Sequence, residues 1–176
     1  MLELTAGEAA IVHCVGKPAS LDALRPIPGT FPGRVAPDEV LLIGAAEARW
    51  RIAEVARNEL AQVDPHALAL DQSSGWSVWT LSGPRVPEAF ARLSSAPLPP
   101  APAFVQGAIA GVPAKAVVLP DSVHVLVSSV LGHHVRQRVL AACRDMPASE
   151  GAPRPLEVEW PDTSAAAAGP SGAHAL

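Results

Sequence analysis

The sequence predicts an α+β fold, and three observations carry the prediction. Short β-branched, apolar runs alternate with stretches whose apolar residues recur at helical spacing. Gly and Pro clusters punctuate the chain between them. Residues 71–84, Asp-Gln-Ser-Ser-Gly-Trp-Ser-Val-Trp-Thr-Leu-Ser-Gly-Pro, compress a strand end, a turn, a second strand and a helix entry into one segment. The order that results is βαββαβ, a mixed sheet with its helices packed mainly on one face.

Residues 8–15 are apolar and β-branched enough for a first strand, closed by Gly16-Lys17-Pro18. Ser20 is placed to cap a short helix through Leu24. Residues 25–37 contain Pro26, Pro28, Pro32 and Pro37, each lacking a backbone donor, so they predict a connecting loop and neither helix nor central strand. Residues 38–44 predict a short buried strand, and residues 46–62 an amphipathic helix with Ala48, Ile52, Val55, Ala56, Leu60 and Val63 on one face. Asp64-Pro65 turns the chain into a strand at 67–71, and Ser74-Gly75 turns it again. Alternation then puts Trp76, Val78 and Thr80 on one face and Ser77, Trp79 and Leu81 on the other.

Ser82 or Gly83 caps the next helix, Pro84 takes its first position, and Val86, Ala89, Phe90 and Leu93 form its stripe. A Pro-rich loop at 95–103 follows. Residues 104–111 lead into a hairpin of strands 114–119 and 123–128 around Pro120-Asp121. A last helix covers about residues 130–144, completing what reads as a ferredoxin-like unit. Residues 1–146 are thus expected to form a single domain, and 147–176 a Pro, Ala, Ser and Gly-rich tail, mostly disordered. Within the tail, Leu156, Val158 and Trp160 alternate with Glu157 and Glu159 and suit an edge strand on this sheet or a partner's.

Composition narrows the function. The formal charge is −4 with no basic stripe, which disfavours a nucleic-acid surface. The apolar runs are far shorter than the ~20 residues that span a bilayer, and residues 1–10 lack a positive n-region. Cys14 and Cys143 stand far apart with no CxxC, so a disulfide framework is not expected and a cytoplasmic address is. Charged residues are only 17% of the chain. Either part of the surface is covered by another chain, or the Ala, Pro and Arg bias of a GC-rich genome has thinned the charges.

Candidate contact residues follow from side chains set against their local pattern. Trp50 lies on the polar side of its predicted helix near Arg57, either resting on its neighbours' aliphatic stems or meeting a partner. Trp76 and Trp79 give both faces of one strand an indole, so the second face needs cover from another sheet or another chain. An indole buries about 150–250 Å², worth about 4–6 kcal/mol at most at about 25 cal/mol per Å². Lys115 is the cation inside an apolar strand: it faces solvent at an edge, or meets an anionic ligand or a partner's carboxylate. With Trp50, Arg57, Trp79 and Trp160, it completes the set of candidate interface residues.

Reactive constellations are not expected. No GxGxxG or GxxxxGK[ST] is present, and GxSxG is missing around Ser82, which suits a cap better than a nucleophile. His133 and His134 point about 100° apart on a helix and chelate poorly together. Asp71, beside a turn, is accounted for by bonds to local backbone donors.

The segment at 71–84, preceded by Pro37-Asp38-Glu39-Val40-Leu41-Leu42-Ile43-Gly44 and followed by the strand, hairpin and helix of 104–143, resembles the gamma subunit of heterotetrameric sarcosine oxidase. That family is similar to the N-terminal part of the glycine-cleavage aminomethyltransferases and their folate-binding relatives, and the likeness covers about residues 8–145. The resemblance implies an aminomethyltransferase-like, folate-binding-like fold. It also implies an accessory chain within a complex that oxidatively demethylates sarcosine or a related secondary amine and passes the one-carbon unit to tetrahydrofolate. The FAD, FMN, NAD, zinc and tetrahydrofolate sites would then lie in larger alpha, beta and delta partners, with no catalytic, cofactor or metal residue here. A stand-alone folate-binding module or one-carbon transferase is the alternative. Against it, the strand that carries a folate-handling aspartate in those transferases reads here Val112-Pro113-Ala114-Lys115-Ala116, with no carboxylate. Neither cysteine lies in the motif of the iron-sulfur-maintenance branch.

Overall fold

Each face of the strand at 76–82 meets a different layer, and the architecture follows from that. The computed structural model describes residues 1–153 and 156–158. Its strands are β1 (Leu2–Gly7), β2 (Ala9–Val15), β3 (Thr30–Ala36), β4 (Glu39–Ala45), β5 (Leu68–Asp71), β6 (Trp76–Ser82), β7 (Ala103–Ile109), β8 (Val112–Leu119), β9 (Ser122–Ser128) and β10 (Ala148–Glu150). The helices are α1 (Pro18–Asp22), α2 (Arg49–Val63), α3 (Val86–Leu93) and α4 (Gly132–Ala142). The strands make two sheets, β10-β1-β6-β9-β8-β7 and β3-β4-β2-β5. The larger is mixed, because β10 runs parallel to β1 while its other pairings are antiparallel.

The two sheets stack face to face. Ile11, Leu41, Ile43 and Phe31 of the smaller one pack on Val78, Val117 and Leu126 of the larger. On the outer face of the small sheet, Val12, Cys14 and Leu42 pack with Ile52, Ala56 and Leu60 of α2. On the outer face of the large sheet, Leu81, Val125 and Val127 pack with Phe90 of α3 and Val135 and Val139 of α4. The order of layers is helix, sheet, sheet, helix. The expected single mixed sheet with helices mainly on one face is corrected accordingly: the α+β class holds, but helices cover both outer faces and a second sheet covers the inner one.

Two strands escape the local pattern. Residues 30–36 form a strand in spite of Pro32, because β3 is the terminal strand of its sheet, where a missing donor disrupts no second ladder. A bulge between Arg34 and Ala36 ends its regular register. Strand β1 was not expected; its alternating Leu2 and Leu4 fill the helix-side core against Leu81 and Phe90.

Boundaries also shift. The third helix begins at Val86 with Pro87 in its first turn, so Ser82 ends β6 instead of capping, and Gly83 turns the chain at φ +102°. A Cβ at Gly83 would lie 2.5 Å from the Met1 carbonyl oxygen. On α2, Ala53 is buried where Val63 was expected; Val63 is 55% exposed. The packed body also runs past residue 146, since β10 joins the large sheet and Leu156 and Val158 are buried between the sheets. Glu159, Trp160 and the disorder expected at 164–176 lie outside the described residues. Among the described residues, no helix is long and apolar enough to cross a membrane.

Candidate functional site

Beyond the stacked core, a groove of about 930 Å³ opens over the inner face of the large sheet. One wall is the β7–β8 hairpin. Its turn is Ala110-Gly111, with φ of +56° and +81°, the pair of positive values that a tight two-residue hairpin requires. The other wall is the start of β6 and the turn before it, with Trp76, Gln72 and Ser74. Ser128, closing β9, completes the lining.

Lys115 supplies the groove's charge. It stands on β8 opposite Gln106 of β7 and Leu126 of β9, and its ammonium lies 5.2 Å from the centroid of the Trp76 ring. Two strands that are not neighbours thus contribute the pair, with β9 between them. Gln106 Nε2 donates to the Val35 carbonyl at 2.9 Å, tying β7 to β3 at the groove's edge. Among the described residues the remaining lining is amide, hydroxyl and apolar, with no aspartate, glutamate or histidine. A pteridine with a protonated ring nitrogen would find hydrogen-bonding groups here and no carboxylate to accept from it, so the donor set does not fit that group well.

The other predicted residues are scattered. Trp50 is 67% exposed on α2 with the Arg49 guanidinium 5.0 Å above its ring. Arg57 Nη2 reaches the Ala69 carbonyl of β5 at 3.4 Å, bracing α2 to the small sheet. Trp79 is half-buried and packs against the core under α3 and α4. Trp160 lies outside the described residues. Among the described residues, Trp50, Arg57 and Trp79 do not join Lys115 in the groove lining. Gln72 and Gln106 were not anticipated there, and nothing local in sequence marks them.

Asp71 behaves as its turn position implied: Oδ1 accepts from the Ser73 amide at 3.0 Å and hydroxyl at 2.5 Å, and these bonds hold its carboxyl below the ordinary range. Asp64 is buried and accepts from the His66 and Lys17 amides, which lower its pKa likewise. Among the described residues, no group of three His, Cys, Asp or Glu side chains is placed to hold a metal ion. Burial pushes the Cys14 thiol up to about 12 and raises that of Cys143. Both thiols should therefore resist an aromatic disulfide reagent in the native protein and react once it is unfolded in guanidinium. Rapid reaction of either in the folded state would contradict this burial.

The fold and groove define an α+β chain of two stacked sheets with helices on both outer faces. It is similar to a chain of heterotetrameric sarcosine oxidase from Corynebacterium sp. U-96, with 18% identity, a TM-score of 0.70, and coverage of 86% of this chain and 88% of that one. It is also similar to the glycine cleavage system aminomethyltransferase T from Bartonella henselae, with 13% identity, a TM-score of 0.54, and coverage of 85% of this chain and 47% of that one. The chain thus spans about half the length of the aminomethyltransferase. At these identities the likeness is one of fold. No protein-family model matches the sequence, and no curated protein sequence does.

Proposed function

We propose that this chain is an accessory, gamma-like subunit of a heterotetrameric flavoenzyme of the sarcosine-oxidase kind, acting on sarcosine or a related secondary amine. The observation that carries the proposal is the two-sided fold match: nearly the whole of this chain aligns with nearly the whole of one chain of such an oxidase, so the two are of similar length. The surface supports it. Trp50 at 67%, Leu68 at 52% and Leu70 at 45% exposure are large apolar side chains that an associating chain can cover. The described thiols are buried, and among the described residues the groove lining includes no histidine, aspartate or glutamate. FAD, FMN, NAD, zinc and the tetrahydrofolate that accepts the one-carbon unit then reside in the alpha, beta and delta partners.

Co-expression with the adjacent reading frames tests the proposal. A tag on this chain should retain larger proteins and a yellow flavin chromophore in fixed ratio. A monodisperse monomer that retains no flavoprotein under those conditions refutes it.

A second reading, a stand-alone folate-binding module or aminomethyltransferase-like protein, draws on the groove's size and the aminomethyltransferase match. Titration of tetrahydrofolate into the purified chain separates the two. The accessory reading expects no saturable site; a stoichiometric, tight one favours the second reading.

A further inference from the structure

Among the described residues, the groove carries a charge without a counter-charge. Lys115 is half-buried, and among the described residues no carboxylate lies within ion-pair distance of it. An ammonium set into a sheet and held over an indole has given up part of its hydration and gained only a ring face in return. A carboxylate entering beside it completes the arrangement.

The backbone around it is open as well. Among the described residues β7 is the terminal strand of the large sheet, so its outer N–H and C=O groups face no strand, and Gln106, Gly107 and Ala108 are exposed beside Lys115. On the small sheet, β5 is also terminal. Its Ala69 turns toward α2, so Leu68 and Leu70 lie on the opposite face outside the groove lining, whose apolar walls are Trp76, Ala108, Val112, Pro113 and Ala114. Gln72, next along that face, lines the groove. One cation, a free strand edge and apolar walls are what an extended peptide uses: main-chain bonds for affinity and side-chain contacts for register. A small molecule would be served instead by several convergent polar groups in a more enclosed site.

We propose that this groove receives an extended segment of a partner chain, which pairs along β7 and sets an aspartate or glutamate against Lys115. The proposal rests on the accessory-subunit reading and names the chemistry of one contact within it.

Lys17 and Lys115 are the only lysines in the chain, so amine chemistry reads the groove against an internal control. In the co-expressed complex, zero-length carbodiimide coupling should join Lys115 to a partner aspartate or glutamate. Acetylation of Lys115 should slow by about tenfold or more relative to the free chain while Lys17 keeps its rate. Lys115→Glu should lower complex recovery by about tenfold or more and Lys115→Met by a smaller factor, with both free variants keeping the wild-type denaturation midpoint.

If a complex forms with Lys115 as reactive as in the free chain, or at full yield with Lys115→Glu, the groove proposal is overturned and the accessory reading stands. Failure of any partner to co-purify removes both. A small carboxylate found by native mass spectrometry on the chain alone, protecting Lys115 from acetylation, also overturns it.

Discussion

Leu126→Ala should lower the unfolding free energy by about 2–5 kcal/mol, read as a reduced urea midpoint with an unchanged slope. Leu126 is fully buried on β9, between β6 and β8, and belongs to the cluster where Ile11 and Ile43 of the small sheet meet Val78 and Val117 of the large one. Truncation removes the transfer energy of the lost carbons and leaves a cavity that two β-sheets, each stiffened by its own ladder, relax around only partly. In a single sheet with helices on one side, the same leucine would face water and the change would cost little. Val130→Ala, at a side chain 84% exposed, should move stability by no more than about 0.5 kcal/mol. A Leu126→Ala loss as small as that of Val130→Ala would mean the inner face is not closed by the second sheet.

That second sheet marks where sequence stops informing the fold. The strands at 9–15, 39–45, 76–82, 112–119 and 122–128 are visible as β-branched or alternating runs, and α2, α3 and α4 as helical periods. Sheet membership is not local, however. Ile11 and Val12 are chemically alike and adjacent, yet one packs between the sheets and the other beneath α2. The clue lay in continuity: Ala9–Val15 and Glu39–Ala45 are apolar on both faces, the mark of strands buried twice. Pro32 hid β3, since a proline argues against a strand only where both edges are paired, and edge position is itself a tertiary fact.

The candidate site was legible in the same partial way. Lys115 stood out because a cation interrupts an apolar strand, and Trp50 because an indole sits on a polar face. What Lys115 faces was hidden, because Trp76 lies on β6 and β8 reaches it only across β9. For Trp79 the alternation gives the face, whereas the depth depends on α4: a Cβ on Gly132, the first residue of that helix, would lie 3.6 Å from the Trp79 indole nitrogen. The close approach of α4 to β6 requires a glycine there, since the same Cβ would fall 2.5 Å from Ser77 Oγ.

His124, a residue with no distinguishing sequence context, should set the largest pH dependence of stability. It is buried on the inner face of β9, with Thr80 Oγ1 2.8 Å from Nδ1 and Ser122 Oγ 3.2 Å from Nε2. Hydroxyls donate or accept, so either neutral tautomer is satisfied. Burial disfavours the imidazolium and pushes the pKa down to about 4. The unfolded chain protonates this ring below about 6.5 while the native chain keeps it neutral. The unfolded state therefore binds more protons between these values, and stability falls as pH drops from about 6.5 toward 4, by up to about 3 kcal/mol, and is fully present above 6.5. Asp64, Asp71, Glu59 and Asp145, whose pKa values lie below the ordinary range, also withdraw stability on acidification, but in the wild type and a His124→Gln variant alike. The difference between the two proteins' urea midpoints from pH 7 to pH 4 isolates the imidazole. The variant should show the shallower decline; parallel profiles, or an NMR titration of His124 centred near 6.5, would show that the ring is not desolvated in the native state.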